Sequence, residues 1–476
     1  MRKFLLIVFF STCACFTQAQ VWNNYINGVF MVGAPDIYSA VEDSSTHTLY
    51  IGGYFSSVNQ YTTHGVVKFD GVNFDTLQSG MDDDYPGTYY SQVRNMVMYK
   101  NKLYVFGIFN RAGHTYSPKM AVWNGSNWEA QIAAGAPDFA FMDNDEMYVW
   151  GFDSINGMKV TGLARFDGTT WYDVPTPHTP GHTADYVVKF QGKLYKSGQV
   201  TPASSDANLS YSDGINWIPW VGISGDANKA VFGMKVIDTL LFVYGRFNSI
   251  AGTNCKGFAA YNGTHWFGFG QGLSTGGGWE TVQNIQKING DLYVTGLFDK
   301  IEGIGNSDFS KNQSTNVAKF DWGKWCIISP PVNNTVLGIV HYKNDLYMYG
   351  GFEKIGNDTV RSIGKYNGGF NEICSQPIAI QMSTVGITEI INFNNIKIYP
   401  NPVKDKLTIE FTHFDKTEIK LDLINSFGEI ILTKELSENK NESGAYQIDL
   451  SELDKGIYFL RVKDARTQKV FKVVKH

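Results

Sequence analysis

The sequence predicts an all-β protein in two parts, a large ring of repeated four-stranded units and a small β-sandwich behind it. Three observations carry this. A Leu-Tyr-like pair running into glycine recurs seven times, at residues 49, 103, 147, 194, 241, 292 and 346, a spacing of 44 to 54 residues. Each pair is followed by an aromatic residue, Asp or Asn, Gly, and a second aromatic, as in "FDGVNF" at Phe69, "WNGSNW" at Trp123, "FDGTTW" at Phe166 and "YNGTHW" at Tyr261, and more loosely in "SDGINW" at Ser212, "FDWGKW" at Phe320 and "YNGGF" at Tyr366. Aromatics make up 14% of the 476 residues and there are 49 glycines, which suits short strands and tight turns rather than helices.

The chain opens with "MRKFLLIVFFSTCACFTQAQ": Arg2 and Lys3, an apolar run from Phe4 to Phe10 extended by small residues to Phe16, then Thr17-Gln18-Ala19. A basic start, an apolar stretch and a small-x-small site predict a signal peptide at 1–19, with Gln20 first in the mature chain. The apolar run is too short for a membrane span, so no transmembrane segment is expected after cleavage. A lipoprotein site would need an aliphatic residue three places before Cys13 or Cys15, where Phe10 and Thr12 stand. Three cysteines remain, Cys255, Cys326 and Cys374. Cys326 and Cys374 each follow the last anchor aromatic of consecutive repeats, so one disulfide and buried free thiols are both open.

Residues 20–375 hold the repeats. Each repeat parses into an alternating apolar strand such as Val93 to Met98, a short turn, the Leu-Tyr strand, a longer connection, a strand ending at Asp-Gly or Asn-Gly, and the last aromatic strand. Asp-Gly and Asn-Gly supply the positive φ of a tight hairpin turn. Four antiparallel strands per 40 to 55 residues, seven times over, describe a seven-bladed β-propeller. Trp22, in "VWNNYINGVF", looks like a fourth-strand aromatic without its blade, and that segment is a candidate for closing the ring. The repeats resemble those of Kelch-type and galactose-oxidase-like propellers in running apolar residues into Gly-Gly, at Gly52-Gly53 and Gly350-Gly351, ahead of Tyr and Trp anchors.

A residue repeated in every blade sits at seven places around a ring, whereas a site needs its groups at one place. Function is therefore expected in what is not repeated. The large insertions share one face: "GMDDDYPGTYYSQ" from Gly80, "TPHTPGHTADY" from Thr176, "GQGLSTGGGWET" from Gly270 and "GIGNSDFSKNQST" from Gly303. Long loops on a rigid scaffold carry binding. Tyr85, Tyr89, Tyr90 and Trp279 are the candidate ligand-binding residues, suited to stacking on sugar rings or anchoring a protein. Asp82, Asp83 and Asp84 are weak candidates for calcium, since the ligand spacing of a known calcium loop is missing. His178 and His182 are four apart, but Pro180 and Gly181 forbid the helix that would bring them together.

No nucleophile elbow, H-E-x-x-H or phosphate loop is present, and no cofactor is expected. Copper chemistry of the galactose-oxidase kind would need two histidines and two tyrosines converging, and the sialidase turn Ser-x-Asp-x-Gly-x-Thr-Trp is broken in "SYSDGINW" from Ser210. The net charge of −5, without a run of Lys or Arg, excludes a nucleic-acid partner.

Beyond 375 the composition changes. Residues 376–395 are polar and β-branched with almost no charge, and read as a linker. About 15% of residues 20–375 are charged, against a third of residues 396–476. The run "IKIYPNPVKDKLTIEF", "IKLDLINSFGEIILTKEL", "YQIDLSELDKGIYFLRVKD", "KVFKVVKH" alternates as the strands of a small Ig-like sandwich. Tyr399-Pro400-Asn401-Pro402, Asp405-x-Leu407, Phe427-Gly428, Leu450-x-x-Leu453 before Gly456-Ile457-Tyr458, and the basic last strand resemble the C-terminal sorting domain of the type IX secretion system. The resemblance implies a translocon and a surface sortase as partners, passage through the periplasm, and release or attachment at the outer cell surface with this domain removed. For the propeller the sequence favours a binding role, adhesion or capture of glycan or protein, over a polysaccharide-active glycosidase or lyase with a site of its own, or an inert surface component.

Overall fold

The computed structural model describes residues 22–24, 36–59, 61–83, 91–176, 186–197, 209–225, 229–274, 280–305, 314–378, 380–382, 396–411, 419–425, 430–436, 444–463 and 468–476. The expected signal peptide lies outside them. Every described element is a strand, and no helix among them is long and apolar enough to cross a membrane.

Seven antiparallel sheets, five of four strands and two of five, form the blades of a propeller. Blade two shows the plan: Gln92–Tyr99 is innermost, with Lys102–Ile108, Met120–Trp123 and Trp128–Ala130 following outward. The inner strands of the others are Asp36–Asp43, Ala133–Asp143, Val187–Phe190, Ala230–Ile237, Thr281–Ile288 and Val336–Tyr342. Each touches the next around the ring, and blade seven's touches blade one's.

The repeat explains the register. The first residue of each Leu-Tyr pair faces the aromatic ahead of the turn, as in Leu49 with Phe69, Leu103 with Trp123 and Leu292 with Phe320. That aromatic in turn faces the second one, as in Phe69 with Phe74 and Phe320 with Trp325. The Asp or Asn between them does more than tolerate a turn. Asp70 Oδ1 accepts the backbone N–H groups of Val72 and Asn73 at 2.8 and 2.7 Å, and Asp167, Asp213, Asn262 and Asp321 do the same in their blades. Stacked between blades, these rows form the core clusters that hold the ring.

Blade seven has three strands of its own run of chain, Val336–Tyr342 innermost, then Asp345–Gly350 and Ile363–Tyr366, and its fourth is Trp22–Asn24 from the other end of the chain. Trp22 pairs with Tyr366 and is fully buried, in the place that Trp325 holds in blade six. Past Tyr366 the chain turns back along the outer rim. Ile373–Cys374 adds a strand to blade six, with Cys326 opposite Cys374 and the two joined as a disulfide, while Cys255 is a buried free thiol. Ile380–Met382 then adds a strand to blade five beside Trp266–Phe269. The propeller thus runs on to Met382, past the boundary at Ser375 expected from composition. The open edges of blades five and six supply the unpaired backbone groups that such a strap satisfies.

The connections between blades also carry short strands. Short strands such as Arg111–Ala112 pair with the connection arriving from the previous blade, here Met81–Asp82. They follow the recurring Phe-x-x-apolar step, whose Phe and apolar residues, such as Phe109 with Ala112 and Phe298 with Ile301, are buried.

The C-terminal part is a sandwich of two sheets, Ile396–Tyr399, Lys406–Phe411 and Gly444–Asp449 against Ile430–Leu436, Ile419–Ile424, Gly456–Lys463 and Gln468–Lys475. Leu407, Ile409, Leu421, Leu423, Leu460 and Val473 are fully buried between them.

Candidate functional site

In six of the seven blades the inner strand carries a β-bulge at the glycine that ends the Leu-Tyr strand, while the described pairing of blade four is unbroken. In blade two Val93 pairs with Gly107 and Asn95 with Phe106, so Arg94 is the extra residue. The same skip leaves out Tyr38 in blade one, Phe232 in blade five, Gln283 in blade six and Leu337 in blade seven, and a longer skip leaves out residues 136–138 in blade three. The glycine is required by the close approach this creates. A methyl group on Gly107 would stand 1.9 Å from the Gln92 carbonyl oxygen, one on Gly296 2.0 Å from that of Thr281, and one on Gly350 2.3 Å from that of Thr335. A bulge bends the strand and re-aims one side chain.

The re-aimed side chains line a central cavity of about 810 Å³. Tyr38, Arg94, Asp138, Phe232, Gln283 and Leu337 lie near the ends of the inner strands where the long connections enter, joined by Tyr186 from blade four. Arg94 and Asp138 form an ion pair between blades two and three at 2.5 Å, both side chains about 40% exposed. Phe139 and Tyr186 meet edge to face at 5.1 Å. Asp36 is hydrogen-bonded to Tyr38 and packs over Gly351, where a methyl group would stand 2.2 Å from its Oδ1. Burial raises the Asp36 carboxyl above the ordinary carboxylate range, partly opposed by the Tyr38 bond. Burial and the nearby Asp36 charge push the Tyr38 hydroxyl up to about 12. Burial, and then the Asp138 charge, raises Tyr186 as well. The mouth therefore offers an ion-paired carboxylate, a guanidinium, an amide and three aromatic rings, with the Asp36 carboxyl hydrogen-bonded to Tyr38.

Of the residues expected to bind ligand, Tyr85, Tyr89, Tyr90 and Trp279 lie outside the described residues, as do Asp84, His178 and His182. Asp82 is exposed and Asp83 buried, since they alternate along an extended segment. Among the described residues the group Cys326, Glu372 and Cys374 has metal-ligand proximity, but its two sulfurs are bonded to each other.

In the sorting-signal motif, Asn401 clamps the last strand: its Nδ2 donates to the Lys472 carbonyl at 2.7 Å and its Oδ1 accepts from Val474 N at 2.9 Å. Tyr399 and Pro400 lead into this clamp, and Pro402 passes the chain to the buried Val403. Tyr458 is buried with its hydroxyl on the Asp454 carbonyl, next to Gly456. Gly428 lies outside the described residues.

Residues 397–476 match the family described as the secretion system C-terminal sorting domain. The C-terminal sandwich is the part of the chain that carries this sorting-domain match. No curated protein matches the chain. Among solved structures, similarity is found to an exo-β-1,3-galactanase from Phanerochaete chrysosporium, at 10% identity over 95% of this chain and 97% of that one, with a TM-score of 0.29. A Bacteroides ovatus xyloglucan-locus GH43B follows, at 10% identity over 94% and 91% with a TM-score of 0.23. Dimeric latent PorU from Porphyromonas gingivalis is matched at 11% identity over 80% of this chain and 32% of that one, with a TM-score of 0.16. At such scores the fold stands on the strand register given above.

Proposed function

We propose that the chain is an extracellular, glycan-directed propeller, delivered to the outer surface or the medium by its sorting domain, that holds saccharide at the channel mouth on the long-loop face. The observation that carries this is the bulge ring. In six of the seven blades it sets unlike side chains facing one cavity, joined by Tyr186 from blade four, as a binding site needs and a scaffold does not. Tyr38, Tyr186 and Phe232 suit the C–H faces of sugar rings. The Arg94–Asp138 pair and Gln283 suit vicinal hydroxyls. Tyr85, Tyr89 and Tyr90 precede in sequence the strand that carries Arg94, and Trp279 precedes the strand that carries Gln283; they are kept as proposed ligand-binding residues. The Kelch-like spacing of the repeats adds no ligand to this reading.

Cleavage of the bound glycan is a second reading, favoured by one observation. Asp36, raised by burial, stands near the same mouth as Asp138, held by Arg94, and two carboxyl groups in unlike environments are what acid–base glycoside chemistry uses.

The test uses the exported protein on a glycan array with reducing-sugar release measured in parallel. Asp138→Asn is expected to weaken glycan binding about tenfold or more, the loss of a charge-assisted hydrogen-bond partner. Release that Asp36→Asn abolishes while binding persists would establish the enzyme. Glycan binding unchanged in both Asp138→Asn and Arg94→Met would sink the channel-mouth site.

A further inference from the structure

The opposite end of the channel breaks the repeat in two neighbouring blades. One inner-strand position pairs in every blade with the aromatic of the Leu-Tyr pair. It is Val41, Val97, Phe141, Val188 and Val340 in blades one, two, three, four and seven, facing Tyr50, Tyr104, Tyr148, Tyr195 and Tyr347. In blades five and six it is Lys235, facing Phe242, and Gln286, facing Tyr293. Lys235 lines the cavity, and its Nζ donates to Gln286 Oε1 at 2.5 Å. The neighbouring channel cation, Lys189, is committed to Asp143 at 2.7 Å. Among the described residues no carboxylate pairs with Lys235. A cation is thus placed where five blades put an apolar side chain, and its bonding partner is a neutral amide. Burial holds its ammonium down to about 8, the cost that an arriving anion would relieve.

We infer that Lys235 and Gln286 form an anion subsite inside the channel, and that the saccharide taken at the mouth is acidic, carrying a carboxylate or a sulfate ester that reaches this pair. The inference rests on the glycan reading above. Three residues along the same inner strand separate Phe232 at the mouth from Lys235, about 10 Å, a distance that one or two sugar rings span. An uncompensated cation at the far end then selects acidic chains over neutral ones of the same shape, since only the former neutralise it in a confined cavity.

The test measures affinities of the exported protein by calorimetry for three oligosaccharides of equal length, one uronate, one sulfated and one neutral. Lys235→Val installs the residue four other blades carry at this position, so it is expected to fold, and Lys235→Arg keeps the charge. The wild type is expected to prefer one of the two acidic oligosaccharides by about tenfold or more, with the preference lost in Lys235→Val and kept in Lys235→Arg. Which acidic oligosaccharide binds identifies the anion as carboxylate or sulfate. Neutral and acidic oligosaccharides bound alike, or a preference that survives Lys235→Val, would overturn the subsite and leave the glycan reading standing. No binding to any of the three would overturn both.

Discussion

Asp36 shows how a residue outside every sequence motif comes to matter. Its carboxyl is pressed between Tyr38 and Gly351, and burial raises it, so the folded chain keeps a proton that the unfolded chain gives up. Folding therefore loses stability as pH rises from the unfolded value through the folded one. Asp36→Asn is expected to be more stable than the wild type at pH 7, with the gain gone at pH 3, as read from denaturant melts at the two values. An equal change at both would show that packing, not ionisation, governs the site. The repeated glycine was visible in the sequence, but what it faces was not. Alternation along a strand tells which residues are apolar, and a bulge adds a residue without disturbing composition, so Arg94, Asp138 and Gln283 read as ordinary exposed polar positions. Lys235 was hidden for a different reason: its meaning lies in the comparison of seven aligned positions, which only strand register makes exact.

At the scale of elements, the strands and turns were legible because the Leu-Tyr pair and the Asx-Gly turn fix both ends of each hairpin. The strap was not. Ile373–Cys374 and Ile380–Met382 lack the anchor aromatics and are held by edge pairing, by the disulfide, and by an ion pair of Lys319 with Glu372 at 2.6 Å. Trp22 was legible as a stray anchor because it has the chemistry of a fourth strand without a repeat around it. Its burial is complete, yet its indole N–H meets no acceptor among the described residues. Trp22→Ala is expected to cost about 3–5 kcal/mol in a denaturation experiment. Trp22→Phe, which keeps an aromatic and removes the unpaired donor, is expected to cost much less. Equal losses would mean that the ring is closed by backbone pairing rather than by the aromatic.

For the whole molecule, the order of parts along the chain separates what delivers the protein from what shapes it. The sorting domain has its own core, and the strap ends at Met382 before the stretch that leads to it. Cutting the exported chain between residues 383 and 395 is therefore expected to leave the melting temperature of the propeller unchanged. Removing the disulfide by Cys374→Ser is expected to lower its stability by about 4 kcal/mol, the chain-entropy value for a closed loop of this length, as a thermal melt of the cut product under oxidising conditions would record. The last consequence concerns time. The pairing of Trp22 with Tyr366 joins residues 344 positions apart, and contacts so distant in sequence form late. A growing chain of 200 or 300 residues, however well its early blades have set, is an open arc with a bare edge at its leading end. The molecule acquires its final outline in one late event, once Tyr366 has been made and brought back to Trp22, and any copy whose synthesis stops before that point never becomes a ring.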